Sequence, residues 1–250
     1  MLRLFAAGCV LALGLLVPAF AEDDKDKDKP KDNPATKHLN RDVARHKLFL
    51  KRIGESKGKG DVIFLGDSIT EGWERHGKIW KEHFGEFTPV NLGIGGDQTG
   101  HVLWRITEGK ELEHLEPKAA VIMIGTNNMG GHSAEQIAGG VKAIVEELKK
   151  QKPKIKILVL AIFPRSGKKI EKDAKMAKAD ELNKKVPATN DILSKLADDK
   201  QVFYKDIGKE FLDKDGNLPK EIMPDYLHLS AKGYEIWGKA IKDDLAKLVK

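Results

Sequence analysis

The sequence predicts an α/β fold in which helices cover both faces of a five-stranded parallel sheet. Five short, almost uninterrupted apolar runs carry this prediction, because strands buried on both faces lose the alternation of apolar and polar residues. Stretches with helical spacing separate the runs, as right-handed crossovers between parallel strands require. The runs lie at 61–66, 88–93, 119–125, 155–161 and 201–204.

Helices are predicted between and after these strands. Asn40 is a candidate cap for the first helix, and Pro187 is a candidate interruption of the fifth. The fourth helix has a one-sided apolar stripe, which predicts packing against the sheet. The predicted helices lie at 41–53, 71–84, 101–108, 133–150, 170–196 and 230–248. The sequence contains no internal repeat and no sign of a second domain.

Residues 1–21 have the pattern of a secretory signal peptide. Arg3 gives a positive start, an apolar stretch follows to Val17, and the small-x-small ending at Ala21 is typical of a cleavage site. The apolar stretch is short of the ~20 residues that a membrane anchor needs, so we expect cleavage and no stable membrane insertion afterwards. The single cysteine, Cys9, leaves with this segment, which excludes a disulfide framework. The predicted localisation is therefore secreted or periplasmic.

Residues 22–37 form a highly charged segment. They contain six acidic residues, five lysines and two prolines, which predicts a flexible spacer, so the folded domain is predicted at 38–250. The whole chain has 44 Lys and Arg against 38 Asp and Glu, a formal charge of +6. The lysines alternate with acidic residues, which indicates a solvated surface and no nucleic-acid partner.

Polar residues follow the ends of three predicted strands. Ser68 comes after the first strand, Gly96 after the second and Asn127 after the third. The carboxyl ends of parallel strands meet at one edge of a sheet, where ligands bind in folds of this class. We therefore expect these three residues to share one crevice.

A serine at such a strand end can act as a nucleophile if a histidine serves as its base and a carboxylate orients that histidine. Two histidines have a carboxylate three residues earlier, in the pairs Glu111…His114 and Asp225…His228. The first pair lies in a highly charged stretch that predicts solvated surface. The second lies in a partly apolar loop before the last helix. His228 is therefore the better candidate for the base of Ser68.

Acyl transfer also needs hydrogen-bond donors for the oxyanion. Gly96 has no side chain, so its N–H can approach a substrate closely, and Asn127 carries an amide donor that does not titrate. Other kinds of site find less support. Gln98 stands where a dinucleotide-binding fingerprint needs its third glycine, and no spacing of Cys and His suggests zinc. No metal or cofactor is predicted.

Four ordered blocks of the sequence resemble the SGNH (GDSL-like) hydrolase family. They are GDSIT at 66–70, NLGIGGD with Gly96, GTN at 125–127, and Asp225-x-x-His228. Within that family, NLGIGGDQTGHVLWRI and the following GTNN are similar to esterases of the platelet-activating-factor acetylhydrolase catalytic-subunit type. The first block reads GDSIT where lipase-type members have GDSL, which favours an acetylesterase-like member.

The resemblance implies a flavodoxin-like three-layer α/β/α sandwich without a cofactor, and it implies roles for five residues. Ser68 would be the nucleophile, His228 the base, and Asp225 the group that orients His228. The N–H groups of Ser68 and Gly96, with the Asn127 side chain, would form the oxyanion hole. Residues 38–250 would be the hydrolase domain.

The function expected from these observations is secreted serine esterase activity on short-chain esters. The acyl group would be acetyl, the alcohol a glycan or a small molecule, and the intermediate an acyl-Ser68. Two alternatives stay open, a lysophospholipase or other lipid esterase, and a catalytically silent binding protein with the same fold. The oligomeric state stays open between monomer and homodimer.

Overall fold

Five parallel strands form one sheet in a computed structural model of the chain, which describes residues 32–165 and 182–250. The strand order is β2-β1-β3-β4-β5, and every neighbouring pair is parallel. This is the flavodoxin-like order, so the predicted fold class is confirmed. The strands are β1 (Val62–Gly66), β2 (Pro89–Gly93), β3 (Ala119–Met123), β4 (Lys156–Leu160) and β5 (Val202–Lys205).

Helices pack on both faces of the sheet and complete a three-layer sandwich. Successive residues of β1 point to opposite faces, so Ile63 packs against one layer of helices and Phe64 against the other. No helix within 32–165 or 182–250 is both long enough and apolar enough to cross a membrane. The helices are α1 (Ala44–Ser56), α2 (Ser68–Glu71), α3 (Gly77–Phe84), α4 (Thr99–Ile106), α5 (Ala134–Gln151), α6 (Lys185–Ser194) and α7 (Ala231–Leu248).

The first helix begins three residues later than the sequence predicts. The Asn40 side chain accepts a hydrogen bond from the Asp42 N–H, which closes only a local turn, and Val43 is the residue that precedes α1. The prediction that Asn40 caps this helix is therefore wrong. The segment before α1 instead runs past α4, where the Leu39 N–H donates to the Gly100 carbonyl.

The end of the predicted spacer is folded. Pro34–Thr36 form a 3-10 helix that Asn33 caps, and Ala35 is buried. The Thr99 hydroxyl donates to the Ala35 carbonyl at 2.6 Å, so the backbone of this turn is bound to α4. The compact unit accordingly covers Asn33–Lys250 and begins earlier than residue 38. Residues 1–31, which include the predicted signal peptide and most of the spacer, lie outside the described residues.

The long helix predicted at 170–196 lies only partly within the described residues. Its C-terminal part is α6, which begins two residues before Pro187. The proline therefore sits in the first turn, where a missing N–H costs no hydrogen bond within the helix. The predicted stretch 170–181 lies outside the described residues.

Candidate active site

The first strand ends in a tight turn that places Ser68 at the carboxyl edge of the sheet. Gly66 closes β1, and a Cβ there would overlap the Thr70 side chain, so only glycine lets α2 follow so closely. Asp67 caps α2 by accepting the Ile69 N–H at 2.9 Å. Ser68 is the first residue of α2, so its own N–H has no acceptor within that helix.

Ser68, His228 and Asp225 form a continuous hydrogen-bonded chain. The Ser68 hydroxyl lies 2.9 Å from His228 Nε2, and His228 Nδ1 lies 2.6 Å from Asp225 Oδ2. A proton on Nδ1 that is donated to Asp225 leaves Nε2 free to accept the serine proton. The structure thus brings together the three predicted residues, although Ser68 and His228 are 160 positions apart in the chain.

Asp225 is held in position by its own backbone neighbourhood. Its Oδ1 accepts the N–H groups of His228 at 2.7 Å and Leu227 at 3.1 Å. Partial burial raises the pKa of this carboxyl, but the hydrogen bonds from the His228 ring and backbone outweigh it, and the net pKa is lowered. Asp225 is therefore ionised at neutral pH and can stabilise a protonated His228.

Gly96 and Asn127 lie on the loops beside the nucleophile. Gly96 has φ +80°, a conformation that favours glycine, and it is exposed. A Cβ built on the preceding residue, Gly95, would lie 3.7 Å from the Ser68 Cβ, so this loop passes next to the serine. Asn127 Nδ2 donates to the Asp97 carbonyl at 2.9 Å, and an amide nitrogen carries a second hydrogen that can be donated elsewhere.

A buried ion cluster lies directly behind the Gly95–Gly96 loop. Asp97 is 0% exposed, and its two oxygens accept from Arg41 Nε at 2.8 Å and from Arg105 Nε at 2.9 Å. Burial raises the pKa of Asp97, and the two guanidinium groups oppose that rise. Arg105 also binds Glu111, which accepts a hydrogen bond from His46 Nδ1 at 2.8 Å.

This cluster overturns one expectation from the sequence. The charged stretch around Glu111 was predicted to be solvated, yet Glu111 is fully buried because Arg105 and His46 bind its two oxygens. His114 is exposed and is not the partner of Glu111, so the alternative Glu111…His114 pair does not form.

Four residues near the site were not predicted as functional candidates from the sequence. Arg41 and Glu71 bind the Gly95 carbonyl and the Gly95 N–H. Arg165 follows β4 and donates to the carbonyl of Thr126, while its charge acts on both Asp67 and Asp225. Asp67 is fully buried, and its position next to Ser68 was the one available signal. The remaining three are isolated residues without a motif.

The candidate site is separate from the apolar cavity that lies along β2. Nowhere in 32–165 and 182–250 do three His, Cys, Asp or Glu side chains cluster in a way that could hold a metal ion. An apolar cavity of about 420 Å³ lies along β2 between α1 and α3, lined in part by Phe49, Trp73 and Trp80. None of the five candidate site residues lines this cavity.

Comparisons with known proteins agree with this geometry. The model of the GDSL-like lipase/acylhydrolase family matches residues 64–236. Platelet-activating factor acetylhydrolase IB subunit alpha1 of Bos taurus is 36% identical over 203 residues, which are 81% of this chain and 82% of that protein. Subunit alpha2 of Rattus norvegicus is 41% identical over 174 residues, 70% of this chain and 71% of that protein.

The fold is also similar to that of a GDSL-like lipase from Bacteroides thetaiotaomicron. That crystal structure has a TM-score of 0.64 and 21% identity, and the match covers 81% of this chain and 97% of the other. The shared fold, the family match over most of the chain and the identity to the acetylhydrolase subunits lead to one conclusion. The chain belongs to the GDSL-like lipase/acylhydrolase family and is a hydrolase of the esterase type.

Proposed function

We propose that this protein is an exported serine esterase that hydrolyses short-chain esters, in particular acetyl esters on glycans, through an acyl-Ser68 intermediate. The observation that carries the proposal is the hydrogen-bonded chain from Ser68 Oγ to His228 Nε2 and from His228 Nδ1 to Asp225, at 2.9 and 2.6 Å. This arrangement provides the nucleophile, the base and the orienting carboxylate that acyl transfer at a serine needs.

The mechanism follows from the positions of these groups. His228 Nε2 takes the Ser68 proton as Oγ attacks the ester carbonyl, and Asp225 stabilises the imidazolium that forms. The N–H groups of Ser68 and Gly96 and the Asn127 amide stabilise the negative oxygen. When the intermediate collapses, His228 protonates the leaving alcohol. A water molecule, deprotonated by His228, then attacks the acyl-serine and releases the acid and free Ser68.

Three observations support a short acyl group and an exported enzyme. The similar subunits from cattle and rat are named as acetylhydrolases. The apolar cavity along β2 is lined by none of the candidate site residues, so it offers Ser68 no channel for a long acyl chain. The proposal of export rests on the signal-peptide pattern of residues 1–21. Outside the cell membrane, an esterase encounters acetylated glycans, so we propose a glycan as the alcohol of the ester.

The nucleophile is tested with an organophosphate and a pair of serine variants. The mature chain from Glu22 should be labelled on Ser68, as located by mass spectrometry, and Ser68→Ala should abolish both labelling and turnover of p-nitrophenyl acetate. Ser133→Ala is the matched control, since Ser133 also stands at a helix start but lies at the cap of α5. Unchanged activity in Ser68→Ala would refute the mechanism, and a wild-type chain without label or turnover would favour the silent binding protein.

The acyl specificity is tested with p-nitrophenyl esters of increasing chain length. We expect kcat/KM to be highest for acetyl and to fall with longer chains. A maximum at octanoyl or beyond would contradict the proposal and favour the lipid esterase. Acetylated xylo-oligosaccharides compared with an acetylated phospholipid in micelles then separate a glycan alcohol from a lipid alcohol.

A further inference from the structure

We infer that Arg41 is a positioning residue for the oxyanion hole, because it holds the peptide that carries the Gly96 N–H in its productive orientation. The inference rests on the proposed ester hydrolysis at Ser68. Arg41 lies in the segment that precedes α1, outside the residues 64–236 that the family model matches. If Arg41 has this role, the functional residues of the site include one from the N-terminal segment.

The key contact is a hydrogen bond from Arg41 Nη2 to the Gly95 carbonyl oxygen, at 2.5 Å. The Gly95 carbonyl and the Gly96 N–H belong to one planar peptide unit, and this peptide is trans. In a trans peptide the C=O and N–H bonds point in opposite directions. A guanidinium that holds the oxygen on one side therefore directs the N–H to the other side.

The Gly95–Gly96 peptide needs such a contact because glycine flanks it on both sides. Glycine populates positive and negative φ about equally, so this peptide has little intrinsic preference for one orientation. Gly96 has φ +80°, and its N–H donates to no acceptor within the described residues. A flip of this peptide would replace the donor with a carbonyl oxygen, which repels an oxyanion.

The neighbouring peptides are held by other residues. Glu71 Oε2 accepts the Gly95 N–H at 2.6 Å, and Asn127 Nδ2 donates to the Asp97 carbonyl at 2.9 Å. Between them, the Asp97 N–H donates to the Ile94 carbonyl at 3.1 Å. Among the described residues, Arg41 is the one group that binds the Gly95–Gly96 peptide through its carbonyl oxygen. The loop is therefore anchored at several points. Removal of Arg41 frees the Gly95–Gly96 peptide and also takes one of two guanidinium partners from the buried Asp97.

Arg41 can do this because its own position is fixed. Its Nε donates to Asp97 Oδ1 at 2.8 Å while its Nη2 donates to the Gly95 carbonyl, so two donors of one rigid guanidinium are bound at once. Arg105 holds the other oxygen of the buried Asp97. A lysine has a single ammonium group on a flexible stem and cannot reproduce both contacts in this geometry.

The test compares Arg41→Ala and Arg41→Lys with the matched control Arg52→Ala. Arg52 lies on α1, is exposed, and pairs with Glu74 away from the loop. Rates with p-nitrophenyl acetate are divided by the concentration of active sites, titrated with an organophosphate. Affinity for a boronic acid, which forms a tetrahedral adduct with a serine, is measured in parallel.

We expect Arg41→Ala to lower kcat per active site by about 10–100-fold, with KM changed less than about threefold, since an oxyanion donor acts in the transition state. Boronic acid affinity should fall by a similar factor. Arg41→Lys should be intermediate, Arg52→Ala should match the wild type, and millimolar methylguanidine should partly restore Arg41→Ala but not Ser68→Ala.

Two results would overturn the inference. One is a kcat per active site in Arg41→Ala within about twofold of wild type. The other is a loss of active sites or of thermal stability alone, because that would assign Arg41 a merely structural role. If Arg41→Ala does not fold, wild-type kcat and boronate affinity in Arg41→Lys count equally against it. Failure of the proposed function looks different, since the wild-type chain itself would then show neither turnover nor label.

Discussion

Asp67, the residue before the candidate nucleophile, provides a quantitative test of the buried electrostatics. Its side chain is fully buried, one oxygen accepts the Ile69 N–H, and the other has no hydrogen-bond partner among the described residues. Burial raises the pKa of this carboxyl to about 7. The Ile69 N–H opposes the rise, the Asp97 charge adds to it, and the Arg165 charge opposes it. The substitution Asp67→Asn tests this pKa, because asparagine imitates the protonated carboxyl group of Asp67.

The magnitude follows from the difference between the folded and unfolded pKa values. The shift from 3.8 to about 7 is about 3 units. At ~1.36 kcal/mol per unit, it corresponds to about 4 kcal/mol. The folded protein keeps this proton up to about pH 7, whereas the unfolded chain releases it near pH 3.8. Its stabilising contribution is therefore complete at acid pH and is lost as the pH rises to about 7. About 2–3 kcal/mol of the loss falls between about pH 5 and about pH 8.

Urea unfolding, followed by the fluorescence of the buried Trp73 and Trp237, measures this difference. The free energy of unfolding of Asp67→Asn, relative to wild type, should rise by about 2–3 kcal/mol from about pH 5 to about pH 8. Taking the difference between the two proteins cancels the titration of groups that do not interact with Asp67. Asp42→Asn, at an exposed carboxylate, controls for the loss of one acid. A change below about 0.5 kcal/mol would refute the claim that folded Asp67 is neutral at acid pH.

Three further substitutions test other parts of the site. Asp225→Asn keeps the volume of the side chain but removes its charge, so we expect kcat on p-nitrophenyl acetate to fall by about 10²–10⁴-fold, and a loss below about fivefold would contradict the orienting role. Arg105→Met leaves two buried carboxylates without their shared partner, so the free energy of unfolding, measured with urea, should fall by about 3–5 kcal/mol. The exposed Arg52→Met should lower it by less than about 1 kcal/mol, and equal losses would argue against the buried cluster. Gly93→Ala places a methyl group against the Glu71 backbone nitrogen, so we expect a loss of about 1–3 kcal/mol by the same method, and a neutral result would show that the end of β2 can move.

The sheet and the Ser68–His228–Asp225 chain were predictable because their signals are local. Each strand is an apolar run, and His228 is separated from its carboxylate by two residues, a spacing that allows Asp225 to bind both the ring and the backbone N–H of His228. The carboxyl-edge rule for parallel sheets predicted that Ser68 shares a crevice with Gly96 and Asn127, and the family resemblance assigned His228 to Ser68. The flavodoxin-like architecture was predicted only through the family resemblance, since no local pattern specifies which strands pair.

The start of α1 and the burial of Glu111 could not be predicted because long-range contacts decide them. Asn40 is a good helix cap by local propensity, but Arg41 binds Asp97, 56 positions away, and the backbone makes a local turn there before α1 begins. Glu111 lies among charged residues, which on average indicates solvent, but Arg105 and His46 make burial tolerable. Local composition predicts only the average exposure of a segment and does not show which charged residues have partners in the fold.

The ion cluster behind the oxyanion loop is better explained by orientation than by stability. A buried ion pair loses so much hydration that apolar residues of similar volume are often as stabilising or more so. Apolar contacts, however, have no preferred direction and cannot fix which way a peptide between two glycines points. Hydrogen bonds from a rigid guanidinium can, because its donors lie at fixed angles. Asp97 in turn fixes the guanidinium of Arg41, and Arg105 holds Asp97 from the other side. Through these contacts the cluster fixes the direction of one N–H bond, that of Gly96, on the loop beside Ser68.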